Sequence, residues 1–203
     1  VALKINELGG KLLTISGPDG YIYDADGISG EKIDYMLEMR DSGDNRAEMY
    51  VEKYPNAVFH KGKSVWEVKA DIAIPCATQN ELHEADAIKL VENGVICVTE
   101  AANMPCTIDA IKYLLGKKIL FAPGKAANAG GVAASGLEMT QNSIRLNWSS
   151  EEVDHRLKDI MVGIHNQCKK YGTDETGYVD YVTGANIAGF VKVADAMLAQ
   201  GVV

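Results

Sequence analysis

Neither a long apolar run nor an excess of positive charge occurs in these 203 residues. No apolar stretch approaches the roughly 18 residues that a membrane-spanning helix needs, and the formal net charge is -8. The longest basic clusters are the pairs Lys117-Lys118 and Lys169-Lys170, which are too small to attract phosphate polymers or anionic lipid. We therefore expect neither nucleic acid nor a membrane as a partner.

Cysteine is scarce, and histidine shows no spacing typical of metal ligands. The four cysteines form no C-x-x-C pair. The four histidines show no i, i+4 pairing and no cysteine partner at zinc spacing. The first residues also lack the charged, apolar and small-residue regions of a signal peptide. These absences predict no metal site, no disulfide framework and a reduced cytoplasmic compartment.

Apolar residues are abundant enough for one large folded domain, because 47% of the chain is hydrophobic and 24% is charged. Strands are predicted at 11–16, 57–60, 71–76, 95–99 and 119–122. Helices are predicted at 1–8, 31–40, 45–54, 81–91, 108–115, 131–146, 151–171 and 185–200. Strands that are apolar throughout and alternate with helices favour a parallel sheet covered on both faces.

The pattern predicts an α/β fold with a doubly wound, Rossmann-like parallel sheet followed by C-terminal helices. Five strands preceded by a helix indicate that the first strand and the Gly-rich loop of such a fold are missing. We assign residues 1–148 to a dinucleotide-binding domain and residues 149–203 to the C-terminal helices. Asn80, Thr107 and Ser149 are predicted to cap helix N-termini.

Small residues and carboxamides dominate the four segments that follow predicted strands: 16–20, 76–80, 100–105 and 122–131. Ligands of open parallel sheets bind beyond the carboxyl ends of the strands. Glycine and alanine allow close approach of a flat ligand, and carboxamides offer both a donor and an acceptor. Any single asparagine here is more often a turn residue or a helix cap. Four such loops together favour a site for a nicotinamide nucleotide.

One acidic residue, Asp19, and one serine, Ser135, allow more than one interpretation. Asp19 is near the place where a carboxylate accepts hydrogen bonds from a ribose 2′-hydroxyl, but a solvated turn aspartate is an equal alternative. Asp24 and Asp26 are predicted to be solvated turn residues. Ser135 lies in the helix that Gly130-Gly131 opens, where it either meets a bound carboxylate or bonds back to the preceding turn.

The string FAPGKAANAGGVAASGLEMTQN at 121–142 closely resembles the hexameric bacterial glutamate dehydrogenases. The segments at 16–24, 75–80, 102–105 and 184–190 support this resemblance. It extends from the first residue to the last and corresponds to the C-terminal dinucleotide-binding domain of that family. The resemblance implies reversible NAD(P)-dependent oxidative deamination of L-glutamate to 2-oxoglutarate and ammonia, and a homohexamer for the full-length family member.

The resemblance also implies roles for individual residues. Ser135 would hold the side-chain carboxylate of glutamate, and Val132 would line the same pocket. Asn103 and Asn128 would meet the nicotinamide end of the cofactor. The other cofactor contacts would be Ala77 and Thr78 along its length and Ser16, Gly17, Pro18 and Asp19 at the adenosine ribose. The Gly-Pro-Asp version of the last segment is similar to that of members that prefer NAD, and use of NADP is possible.

Two parts of the family pattern are missing from these residues. The phosphate loop G-x-G-N-V-A is expected immediately before residue 1, and the catalytic lysines and aspartate belong to an N-terminal domain toward which the last helix is expected to pack. We therefore expect no catalytic residue in this chain, no turnover by the isolated chain, and weak NAD binding. The alternatives are a non-catalytic nucleotide-binding or assembly module and a purely structural α/β domain.

Overall fold

The structure, a computed structural model, describes residues 1–43 and 46–201. The chain divides into two compact units, Val1–Val68 and Lys69–Val203. Each unit is described separately below. The predicted domain limits, 1–148 and 149–203, stay a prediction.

The first unit contains a three-stranded antiparallel sheet of β1 (Thr14–Gly17), β2 (Gly20–Tyr23) and β3 (Val58–Lys61), with β2 in the centre. Its helices are α1 (Ala2–Glu7), α2 (Glu31–Asp41) and α3 (Glu48–Lys53), and Val65–Glu67 forms a 3₁₀ turn. The helix predicted at 45–54 is thus present as α3, although its predicted first residue, Asn45, lies outside the described residues. Ile22, Ile28 and Tyr50 are fully buried in the core of this unit.

The antiparallel sheet corrects the prediction of a single parallel sheet. The predicted strands at 11–16 and 57–60 do form strands, but each pairs with β2, which the sequence pattern did not reveal. The reason is the Gly-Pro-Asp-Gly turn, which reverses the chain so tightly that Gly17 and Gly20 pair across it. Gly20 has a φ of 145°, and a Cβ there would lie 2.2 Å from the carbonyl oxygen of His60. The turn therefore makes a hairpin rather than a connection to a helix.

Asp24 is buried, with only 1% of its surface exposed, so the prediction of a solvated turn residue is wrong for it. Its carboxylate accepts hydrogen bonds from Lys32 Nζ at 2.7 Å, Tyr50 Oη at 2.8 Å and the Asp26 backbone N–H at 3.0 Å. Burial raises the pKa of Asp24, but these hydrogen bonds and the charge of Lys32 outweigh it and hold the pKa below its usual value. Asp26 itself is exposed, as predicted.

The second unit contains a parallel sheet with the order β4 (Ile72–Ala73), β5 (Cys97–Thr99) and β6 (Leu120–Ala122). The helices are α4 (Glu84–Glu92), α5 (Ile108–Gly116), α6 (Gly124–Ala127), α7 (Gly130–Ile144), α8 (Ser150–Gly172) and α9 (Tyr181–Gln200). Val98 and Phe121, at the centres of β5 and β6, are fully buried. The predicted α/β fold with a parallel sheet is confirmed in this unit.

Two of the three predicted helix caps are confirmed. The hydroxyl of Thr107 accepts a backbone N–H of α5, and the hydroxyl of Ser149 does the same for α8. Asn80 is not a cap, because α4 begins only at Glu84 and its N-cap is His83. Asn80 instead has a positive φ of 55°, and its backbone N–H donates to the carbonyl of Met104 in a neighbouring loop.

In the described part of the chain, α9 is the one helix long and apolar enough to cross a membrane. One such helix, judged by length and composition alone, is weak evidence for a membrane span. This helix packs along α8 and carries Lys192 and Asp195 in its second half. The absence of a membrane partner stays a prediction.

Candidate functional site

Three loops meet at the carboxyl edge of the parallel sheet. Because β4, β5 and β6 are parallel, the segments that follow them emerge at the same edge. These segments line an open cleft of about 770 Å³, a volume within the range of small-molecule and cofactor sites. Four predicted site residues line it: Ala77, Asn103, Asn128 and Val132. Three of the four loops chosen from the sequence are therefore brought together.

A pair of carboxamides lies in this cleft. Asn128, directly after α6, donates from Nδ2 to Asn103 Oδ1 at 2.8 Å and to the carbonyl of Ala102 at 3.4 Å. Among the described residues, the side-chain NH₂ group of Asn103 and the side-chain oxygen of Asn128 have no hydrogen-bond partner in the protein. One donor and one acceptor are thus presented side by side, which is the set that a primary carboxamide of a ligand requires.

Glu100 is buried between the two loops that carry the carboxamide pair and was not predicted from the sequence. It directly follows β5 and is 4% exposed. Its Oε1 accepts the backbone N–H of Cys106 at 3.2 Å, and its Oε2 accepts that of Gly124 at 2.6 Å. A charged residue at the end of an apolar strand was the signal that could have identified it, since a buried carboxylate needs several hydrogen bonds.

The predicted residues on α7 are divided between the cleft and its surroundings. Val132, which is 74% exposed, lines the cleft. Ser135, one turn later, is exposed but does not line it, and its hydroxyl donates to the carbonyl of Gly131 at 3.4 Å. That bond is the alternative geometry considered for this serine. Binding of a carboxylate at Ser135 stays a prediction, as does the contact of the exposed Thr78 with the cofactor.

The predicted ribose-binding residues form the tip of the hairpin in the first unit. Ser16, Gly17 and Pro18 are exposed and Asp19 is half-buried. The Asp19 backbone carbonyl accepts the N–H of Gly62 at 2.8 Å, which anchors the turn. Neither of the two interpretations of the Asp19 carboxylate is decided by these contacts, and the ribose contact stays a prediction.

The four cysteines are all free, and one of them, Cys76, lines the cleft. Cys76 is exposed and lines the cleft, whereas Cys106 and Cys168 are buried. Although Cys76 is exposed at the surface, the surrounding protein atoms partly desolvate its sulfur, and this desolvation, followed by the negative charge of Glu81, raises the pKa of the thiol. This thiol therefore remains protonated and reacts slowly at neutral pH.

Residues 1–43 and 46–201 contain no group of three or more His, Cys, Asp or Glu side chains that could hold a metal ion.

Comparison with known proteins yields relatives named as dehydrogenases. The NAD-specific glutamate dehydrogenase of Bacteroides fragilis (strain YCH46) is 60% identical over 202 residues, which is 100% of this chain and 45% of that protein. The NADP-specific glutamate dehydrogenase of Haemophilus influenzae is 54% identical over 200 residues, covering 98% of this chain and 44% of that protein. The resemblance to glutamate dehydrogenases is confirmed, and the chain spans about half the length of these relatives.

Solved structures agree with the sequence comparison. A glutamate dehydrogenase structure matches with a TM-score of 0.91 and 49% identity, covering 100% of this chain and 45% of that one. The profile of the Glutamate/Leucine/Phenylalanine/Valine dehydrogenase family matches residues 1–201. This chain therefore belongs to the glutamate/leucine/phenylalanine/valine dehydrogenase family.

Proposed function

We propose that this chain is the cofactor-binding part of an NAD(P)-dependent glutamate dehydrogenase. The reaction of the whole protein is the reversible oxidative deamination of L-glutamate to 2-oxoglutarate and ammonia. The names of its relatives, 60% and 54% identical, support this substrate and both cofactors. We propose that the protein prefers NAD over NADP, since the Gly17-Pro18-Asp19 turn resembles that of the family members that prefer NAD.

The observation that carries the proposal is the Asn103–Asn128 pair in the cleft at the sheet edge. The nicotinamide group carries a primary carboxamide, whose oxygen needs a donor and whose NH₂ needs an acceptor. The side-chain NH₂ group of Asn103 supplies the donor, and the side-chain oxygen of Asn128 supplies the acceptor, within one hydrogen-bonded pair. When bound, the cofactor supplies the hydride-accepting ring, and the pair would fix the orientation of that ring.

The remaining site residues keep their proposed roles. Ala77 and Thr78 would pack along the cofactor, and Val132 and Ser135 would meet the glutamate. The turn of Ser16, Gly17, Pro18 and Asp19 would meet the adenosine ribose. The proposal places the catalytic residues outside this chain, since the chain spans 45% of its NAD-specific relative.

The proposal extends to assembly and location. The full-length protein is proposed to be a cytoplasmic homohexamer that binds neither nucleic acid nor membrane, in keeping with its negative net charge. The C-terminal helices, 149–203, would form a separate part of the protein. The last of them is proposed to pack toward the N-terminal domain of the family, and the exposed apolar side chains of Phe190, Met197 and Leu198 on α9 support this packing.

NAD is expected to protect Cys76 from alkylation, because this thiol lines the proposed cofactor cleft. At about ten times its dissociation constant, mass action predicts a roughly tenfold slower reaction with iodoacetamide. Peptide mapping by mass spectrometry measures the rate at each cysteine. The half-buried Cys97, which does not line the cleft, is the internal control. Equal rates at Cys76 with and without NAD would contradict the proposed site.

The 203-residue chain is expected to show no glutamate-dependent reduction of NAD, because the catalytic lysines are proposed to lie outside it. The absorbance of reduced nicotinamide measures the rate. A full-length protein that contains this chain is the positive control and should turn over L-glutamate. A robust rate from the purified chain alone would show that the catalytic residues lie within residues 1–203.

A further inference from the structure

We propose that Glu100 is a positioning residue that sets the separation of the two loops carrying Asn103 and Asn128, an inference that rests on the proposed function. Glu100 acts through other residues, since its own side chain is buried and does not line the cleft. Its effect on ligand binding would come from the orientation of the carboxamide pair.

The carboxylate joins two segments that are far apart in the sequence. Its Oε1 accepts the N–H of Cys106, at the end of the loop that carries Asn103, at 3.2 Å. Its Oε2 accepts the N–H of Gly124, the first residue of α6, at 2.6 Å. Asn128 directly follows that short helix. One side chain therefore ties the loop after β5 to the segment after β6.

A carboxylate suits this position better than its neutral isostere. Two backbone N–H groups converge on the two oxygens, and a carboxylate accepts at both without offering a competing donor. Glutamine would turn its NH₂ group toward one of the two N–H groups and repel it. Burial, with the negative charge and hydrogen bond of Glu100, raises the pKa of the adjoining Cys106 thiol, so this neighbour stays protonated and adds no second negative charge.

Gly124 brings the two segments into direct contact. A Cβ at this position would lie 2.9 Å from the carbonyl oxygen of Ala102 and 3.2 Å from Glu100 Oε2. The same Ala102 carbonyl accepts a hydrogen bond from Asn128. The distance between the two loops is therefore set at Gly124 and Glu100, and the hydrogen bond between the carboxamides depends on that distance.

The test compares Glu100→Gln with the wild-type chain for two ligands, nicotinamide mononucleotide and adenosine monophosphate, by titration in NMR. We expect the affinity for the nicotinamide ligand to fall about tenfold, and that for the adenosine ligand to change less than about twofold. Hydrogen exchange of the Gly124 and Cys106 amides should become faster in the variant. General destabilisation of the fold would instead lower the affinities for both ligands together.

Two further variants make the result decisive. Gly124→Ala keeps the carboxylate but pushes the loops apart, so it should reproduce the selective loss of the nicotinamide ligand even if Glu100→Gln does not fold. Glu92→Gln, an exposed carboxylate on α4, should leave both affinities unchanged.

The outcomes separate the two levels of the proposal. Wild-type affinities in Glu100→Gln and Gly124→Ala, or equal loss of both ligands, would overturn the positioning role alone. Because the isolated chain is expected to bind weakly, the titration is repeated with a full-length protein that contains it. Failure of that protein to bind nicotinamide mononucleotide would overturn the proposed function, and the positioning role with it.

Discussion

Replacement of Asp24 with asparagine is expected to lower the free energy of unfolding by about 2 to 3 kcal/mol, since a buried carboxylate that accepts charge-assisted hydrogen bonds becomes a neutral amide and leaves the partly buried Lys32 with the Gly27 carbonyl. Lys32 Nζ, now 2.7 Å from the carboxylate, would face a neutral amide. The Tyr50 hydroxyl, which is fully buried, would lose its charged acceptor. Urea unfolding followed by circular dichroism measures the change.

Asp34 offers the matched control for this substitution. It is exposed on α2, two residues from Lys32 in sequence, and lies outside the buried cluster of Asp24, Lys32 and Tyr50. Asp34→Asn should change the unfolding free energy by no more than about 0.5 kcal/mol. A loss from Asp24→Asn as small as that of the control would show that the buried pair does not stabilise the first unit.

The effect of Asp24→Asn should also depend on pH. The pKa of Asp24 in the folded protein lies below its usual value of 3.8. Its contribution to stability is therefore complete above that usual value and is lost as the pH falls through the lower folded-state pKa. The difference in stability between the wild type and Asp24→Asn should shrink below about pH 4. A difference that stays constant down to acid unfolding would contradict this linkage.

Replacement of Gly184 with alanine is expected to destabilise the second unit by about 3 kcal/mol, at the upper end of the cost of overpacking. Gly184 lies near the start of α9, at the place where this helix packs against α8. A Cβ there would lie 2.0 Å from the carbonyl oxygen of Cys168 and 2.8 Å from its carbonyl carbon. Both atoms belong to the backbone of α8, so a shift of a side chain cannot relieve the clash. The helices would have to separate, and thermal unfolding measures the cost.

Gly189 is the control within the same helix. A Cβ at Gly189 would meet nothing within 4 Å, and alanine is the better helix former. Gly189→Ala should therefore stabilise the protein by about 0.5 to 1 kcal/mol. Both substitutions replace glycine with alanine, yet their effects on the free energy of unfolding are expected to have opposite signs. If both stabilise the protein, α8 and α9 do not pack as closely as described.

Local chemistry explains which elements the sequence could predict. Thr107 and Ser149 cap their helices because a hydroxyl and the backbone N–H it accepts lie within three residues of each other. Asn80 also has a side chain that can cap a helix, yet its backbone N–H donates to Met104 in another loop. No property of residues 80–84 reveals that contact, so the predicted start of α4 was wrong.

The same distinction applies to the candidate site. The loops that carry Ala77, Asn103 and Asn128 could be predicted to meet because parallel strands end at one edge, whereas Val132 was named only through the resemblance to the family. Glu100 could not be predicted, because its role depends on a hydrogen bond to Gly124, 24 residues later.

Residue types and their order were sufficient for the family, the parallel sheet of the second unit and the loops that follow its strands, because periodicity, turns and motifs are properties of neighbouring residues. The pairing of β2 with β3, the burial of Asp24 and the support of the carboxamide pair by Glu100 depended on the folded chain. Each of them joins residues distant in sequence, as the bond from Tyr50 to Asp24 does across 26 positions. A carboxylate becomes a solvated turn residue or the centre of a buried cluster according to which distant donors the fold brings to it.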